Sequence, residues 1–315
     1  MGSKILGLQT EGFVERNPLA CMALRANFEG PVFQGDLEDD EILKQLHKKR
    51  TGYHLEITGG FPCQGYSRQG DQLGLDDHRS HGLHHILSYA WFLQADAVIL
   101  ECVANVTHFP RTQECIDDFA LQADMTCHKL VFDLQHQWPV RRNRFWCYML
   151  AKTFASFPIQ PWPVSTDCQQ LQEIMPMDAI WPPEVEQQLE WDANELAIYL
   201  NPEYGADQRL LLPEDKAPTV LHSWGHVHRP CPCGCRAAFS DHRLRQGGAR
   251  GFGLLSACTG KYRHLHPAEG ALLCTVPPDF QFPMPPRSAL CMLGQIDSVA
   301  SSCPNAVPNL GVDRH

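Results

Sequence analysis

Nowhere in its 315 residues does the sequence hold an uncharged apolar run long enough to span a bilayer. The opening "MGSKILGLQTEGF" also lacks the apolar stretch of a secretory leader. A soluble, intracellular protein with no membrane partner is therefore expected. Excess positive charge is missing too: 26 Lys and Arg stand against 36 Asp and Glu, a formal charge of -10. Bulk attraction to nucleic acid is thereby excluded, and any such contact needs a local basic surface. Neither a P-loop nor a dinucleotide fingerprint occurs, which removes two common classes of nucleotide cofactor. There is no internal repeat and no low-complexity tract. Cysteine is plentiful at 14, but spread along a chain without a leader it implies reduced thiols, not a disulfide framework.

What is present is a chain that is 43% hydrophobic and long enough for one large domain and a smaller one. Up to about Leu150, short apolar runs of strand length alternate with helical patterns. The runs are "HLEIT" (54–58), "AVIL" (97–100), "KLVFDL" (129–134) and "RFWCYML" (144–150). Asn17-Pro18 provides a helix N-cap and a proline at the first helical position. Apolar residues at helical spacing follow in "GLHHILSYAWFLQ" (82–94) and "CIDDFALQA" (115–123). Alternation of this kind predicts a parallel α/β sheet. After Leu150 the texture changes. "FPIQPWPV" (157–164) reads as a linker or domain boundary, and residues 173–218 carry eleven acids against two bases, a solvated acidic surface. Between Arg229 and Arg250 the sign reverses, with five arginines, one acid and glycines at 234, 247 and 248. That strip is the best candidate for phosphate contact, set against an ordinary exposed loop.

In an open α/β sheet ligands gather at the carboxyl ends of strands. Two residues occupy such places: Cys63 in "GGFPCQGYSRQG" and Glu101 in "AVILECV". The glycines permit close backbone approach and Pro62 stiffens the loop that presents the thiol. A free thiol is only about 3% ionised at pH 7, so a working nucleophile needs help to lose its proton. "HSWGHVHRPCPCGC" (222–235) gathers three histidines and three cysteines, residue types that bind zinc. Its Cys-x-Cys-x-Cys spacing is tighter than a zinc knuckle, so a loop of reduced cysteines is the preferred reading and no metal site is assigned.

Taken together, "GGFPCQGYS", "ECV" and "RRNRFWCYML" resemble, in order and spacing, the motifs of the C5-cytosine-specific DNA methyltransferases, and the resemblance extends over most of the chain. It implies a Rossmann-like methyltransferase sheet with a smaller target recognition domain, S-adenosylmethionine as cofactor, DNA as substrate, and a monomer. The implied layout is 1–157 catalytic, 158–255 target recognition and 256–315 returning to the catalytic domain. By resemblance Cys63 is the nucleophile and Glu101 the acid of a Glu-Asn-Val motif, with Cys102 where asparagine is usual. Arg142 and Arg144 match a Gln-x-Arg-x-Arg motif that has Val140 in place of glutamine. "RHLHPAEGALL" brings Arg263 and Glu269 to a later family segment.

For the cofactor the resemblance offers Glu15 for the ribose, Asp36 for adenine and Asn305, in "NAVP" (305–308), to complete the pocket. The family's first strand and glycine pair are not found, and only two residues separate Gly12 from Glu15 where a full second strand is expected. The expectation is a chain beginning after the cofactor loop. A catalytically impaired or DNA-binding descendant of the family is the alternative to an active enzyme. The Cys-Phe-Thr signature of the tRNA-directed branch is not found.

Overall fold

The computed structural model describes residues 9–49, 54–67, 72–136, 138, 140–154, 171–174, 181–193, 196, 217–218, 253–256 and 259–293. Asn305, the 222–235 cluster, the 229–250 strip and the 157–164 linker lie outside the described residues. The chain divides into two compact units. One comprises Thr10–Asp133 and Asn143–Trp162; the other comprises Met1–Gln9, Leu134–Arg142 and Pro163–His315. Among the described residues no helix is long and apolar enough to cross a membrane.

In the first of these units, strand β1 (Phe13–Glu15) leads to helix α1 (Pro18–Asn27) and strand β2 (Val32–Gln34). The start of α1 is set locally: Asn17 Oδ1 accepts a hydrogen bond from Leu19 N at 2.9 Å, and Pro18 follows where no donor is needed. β1 and β2 form a parallel pair, with Glu15 opposite Gln34. The strand that ends at Glu15 is three residues long.

Helix α2 (Asp40–Lys49) precedes the main sheet, which is built from β3 (Glu56–Gly60), β4 (Ala97–Val103), β5 (Met125–Asp133) and β6 (Asn143–Ala151). Helices α3 (His81–Phe92) and α4 (Pro110–Gln122) connect them. The spatial order is β3-β4-β6-β5. β3 and β4 are parallel, but β6 runs antiparallel to both β4 and β5, so the sheet is mixed rather than parallel. Hydrophobic periodicity carries no strand direction, and the return of the chain after β5 slots β6 between its two neighbours. Burial on both faces explains the unbroken apolar run of β6: Phe145, Trp146, Cys147 and Met149 are all buried.

One face of this sheet packs on α3 and α4. Val98, Leu100 and Cys102 of β4 meet Leu83, Ile86, Leu87, Ile116 and Ala120 in a single core. Each large side chain so buried is worth about 1.5–3 kcal/mol. Burial alternates along β4, which leaves Glu101 on the opposite face.

In the other unit β7 (Gly253–Leu255) and β8 (Tyr262–His264) pair antiparallel. Helices α5 (Pro183–Leu189), α6 (Pro267–Leu273) and α7 (Pro286–Leu293) accompany them. Arg263 is buried and forms two 2.8 Å bonds with the carboxylate of Glu269, while Glu186 lies 3.5 Å from its Nε. Glu269 also accepts from His266 N at 2.7 Å, and His266 Nδ1 accepts from Ala268 N, a capping box that starts α6. The matched residues Arg263 and Glu269 are thus a structural pair.

Candidate active site

β3 ends in Gly59-Gly60, and the first of these glycines is the more tightly faced. A side chain at Gly59 would strike Ile86 at 2.7 Å, and one at Gly60 would lie 3.3 Å from Glu101 Oε2. The chain then turns at Phe61, whose N–H donates to Glu101 O at 3.3 Å. Pro62 rests on the first turn of α3, where any Cβ at Gly82 would come within 2.8 Å of its ring.

Cys63 follows, half-buried at the margin of the core. Its carbonyl accepts two backbone hydrogen bonds, from Tyr66 N at 3.0 Å and Ser67 N at 2.7 Å, which closes the loop into one tight turn. Tyr66 anchors that turn. Fully buried, its ring stands edge-on to Phe61 and Phe109, and burial pushes its phenol above the ordinary range. Asn105, in the turn after β4, donates from Nδ2 to Tyr66 O at 2.6 Å. Gly65 O receives Gly74 N at 2.9 Å, which pins the segment after the loop. Beyond it the Asp77 carboxylate receives Arg79 Nε at 2.8 Å and Nη2 at 2.5 Å. Those hydrogen bonds hold its carboxyl down at about 2.

Glu101 reaches this region from β4. Its Oε1 lies 2.8 Å from Arg144 Nε, and the two side chains are only 13% and 12% exposed. The pairing depends on the antiparallel register, which sets Glu101 opposite Trp146 and Arg144 opposite Val103. Arg144 is thus two positions along β6 from the residue facing the acid. Cys102 beside Glu101 is a different kind of thiol from Cys63. It is 1% exposed, with Sγ 3.8 Å from Phe61 O, and burial first, then the charges of Glu101 and Cys63, push it far above the ordinary thiol range. It is inert by position.

Cys63, Glu101 and Arg144 therefore share one unit, at the carboxyl ends of β3 and β4 and the start of β6. Arg142 belongs to the other unit, where it is buried and its carbonyl accepts from Leu134 N at 3.0 Å. Glu15 ends β1 and Asp36 lies just past β2, two adjacent parallel strands whose ends are linked by Gly35 N donating to Glu15 O at 3.1 Å. Glu15 Oε1 accepts from Asn17 N at 2.7 Å, while Asp36 is half-exposed with Arg16 3.4 Å away. Sequence reasoning missed Tyr66, Asp77 and Asn105, whose roles rest on contacts between distant segments.

The site thus holds a half-buried thiol on a hydrogen-bonded turn and, in the same unit, a carboxyl group paired with an arginine. The family profile for C-5 cytosine-specific DNA methylases matches residues 1–164. The chain belongs to that family. Among curated relatives, type II methyltransferase M.NaeI of Lentzea aerocolonigenes is 29% identical over 181 residues, covering 52% of this chain and 41% of that one. Type II methyltransferase M.PspPI of Psychrobacter sp. is 37% identical over 84 residues, covering 25% and 19%. The chain spans less than half the length of these relatives.

Among solved structures, a mutant of Spodoptera frugiperda DNMT2 aligns with a TM-score of 0.65 at 15% identity, covering 95% of this chain and 92% of that one. A putative DNA modification methyltransferase from an E. coli prophage gives 0.62 at 16% identity, covering 94% and 90%. At such identities the likeness speaks for the fold, which is that of a methylase of this family.

Proposed function

We propose that this cytosine-5 methylase acts on DNA by adding the Cys63 thiolate to C6 of a cytosine swung out of the duplex. C5 of cytosine is a poor nucleophile until C6 has been attacked, because only the adduct places enamine-like electron density on C5. Negative charge builds on the ring as sulfur adds, and Glu101 in its protonated form would donate to N3 and accept from the exocyclic amine, which neutralises that charge, while Arg144 holds the carboxyl group in position. The observation that carries this reading is the 2.8 Å Glu101–Arg144 pair next to the loop of Cys63. Reaching the base requires flipping it, at a cost of a few kcal/mol.

S-adenosylmethionine, when bound, supplies the methyl group that C5 takes. The donor chemistry of Glu15 and Asp36 fits such a ligand: a carboxylate at the end of each of two adjacent parallel strands suits ribose hydroxyls and an adenine amine. Asn305 would complete this set by resemblance. Arg142 is assigned to the target nucleotide, and the 158–255 region with its Arg229–Arg250 strip to DNA recognition.

The test needs no methyl donor. A sulfur–C6 bond makes the C5 hydrogen exchangeable, so duplex DNA with tritium on cytosine C5 should release label to water. Cys63→Ser should abolish release, and Glu101→Gln should slow it by about 100-fold to 1,000-fold, the range for losing one stabilising group of this kind. Release that survives Cys63→Ser would end the proposal. A chain that binds DNA without release would be the impaired descendant.

A further inference from the structure

The residue after Glu101 is cysteine where the family pattern has asparagine, and its thiol lies 3.8 Å from Phe61 O. Three residues later an asparagine does reach the nucleophile loop. Asn105 Nδ2 donates to Tyr66 O at 2.6 Å, joining segments 39 residues apart. The peptide group between Tyr66 and Ser67 is then bonded at both ends. Its oxygen accepts from Asn105, and its N–H, that of Ser67, donates to Cys63 O at 2.7 Å. Hydrogen bonds in such a chain polarise and strengthen one another.

Both ends of the tie are fixed. Tyr66 is fully buried, and the turn carrying Asn105 is held by Val106, also fully buried, whose carbonyl accepts from Phe109 N at 3.1 Å and Gln113 Nε2 at 3.2 Å. The turn continues β4 directly, so one continuous element, residues 97–108, carries the acid Glu101 and grips the turn of Cys63. We infer that Asn105 is a positioning residue that sets the Cys63 thiol relative to Glu101, from a place three residues beyond the usual asparagine. The inference rests on the reading of Cys63 as nucleophile.

Asn105→Ala, Asn105→Asp and Asn105→His test it in the tritium-release assay. Alanine and aspartate cannot donate, and both should lower the turnover of release by about 10-fold to 100-fold, the range for a nucleophile displaced by up to an ångström. KM for DNA should stay within about twofold, since ground-state binding is untouched. Histidine, whose Nδ1 sits where the amide nitrogen does, should recover most of the rate. A second readout does not depend on activity. Iodoacetamide labelling of Cys63, measured by mass spectrometry against Cys115 in the same molecule, should rise in Asn105→Ala and return in Asn105→His. Wild-type release and labelling in Asn105→Ala, or a loss that histidine does not restore, would overturn the assignment. If wild-type protein releases no tritium but the labelling ratio still shifts as stated, the tie stands and the nucleophile reading fails.

Discussion

Gly65, two residues after Cys63, should not tolerate even a methyl group. A Cβ built there lies 2.5 Å from Ser80 Oγ, 3.0 Å from Asp77 Cβ and 3.0 Å from Gly74 O. Ordinary contacts begin near 3.4 Å, so three neighbours must retreat together. Ser80 and Asp77 are buried and Gly74 O is backbone, which leaves little freedom to move. Shifting Gly74 also strains the 2.9 Å bond between Gly74 N and Gly65 O. Gly65→Ala should therefore cost about 2 kcal/mol, within the range for forcing an extra methyl into a packed site. Urea titration followed by fluorescence reads that cost, and iodoacetamide labelling of Cys63 reads the displaced loop. Ser80→Ala removes the tightest contact but leaves the carbonyl, so the double variant should regain only part of the loss. Gly60→Ala serves as control: its one close contact is the far end of a side chain, Glu101 Oε2 at 3.3 Å, and the cost should be smaller. A Gly65→Ala protein within about 0.5 kcal/mol of wild type, with Cys63 labelling unchanged, would refute the packing argument.

The remaining predictions concern buried charge. Asp77 is held at about 2 by Arg79, below its ordinary value of 3.8. The folded state thus takes up this proton less readily than the unfolded chain. The stability so gained is present above pH 3.8 and lost as pH falls toward 2, and Asp77→Asn should flatten the acid side of the stability profile in that window. In the other unit, Arg263→Met or Glu269→Gln breaks a buried bidentate pair and should cost about 3–5 kcal/mol by urea titration. Glu186→Gln, 3.5 Å from Arg263, should cost distinctly less.

The legible parts of this protein are those fixed by local chemistry. Asn17-Pro18 starts a helix whatever surrounds it, and the apolar run at 97–100 marks a strand whose alternate residues, Val98 and Leu100, are buried. Glu101 is legible because it directly follows an apolar run, and Cys63 because it lies on the glycine-proline loop just past one. What stayed hidden depends on pairing. The direction of β6 has no trace in its apolar pattern, and without that direction Arg144 cannot be placed against Glu101. Arg142 and Arg144 look equivalent in "RRNR", yet β6 begins at Asn143 and the two fall in different units. Glu15 closes a strand of three residues, too short for alternation to show. Asn105 and Asp77 are ordinary loop residues until the fold brings Tyr66 and Arg79 to them.

The two halves of the proposed reaction rest on different elements, and that makes them separable. Cys63, Glu101 and Arg144 stand on the four-stranded sheet, which shares one large core with α3 and α4. Glu15 and Asp36 stand on the two-stranded β1–β2 pair, three residues deep on each side. On the proposed mechanism attack on C6 does not call on the second set, whereas methyl transfer calls on both. Exchange without transfer would therefore place the defect in the β1–β2 half. Transfer without exchange-competent Cys63 has no route, because C5 gains its electron density only from the sulfur adduct. Measuring release with and without S-adenosylmethionine, on wild type and on Glu15→Gln, thus assigns each half its own share of the activity.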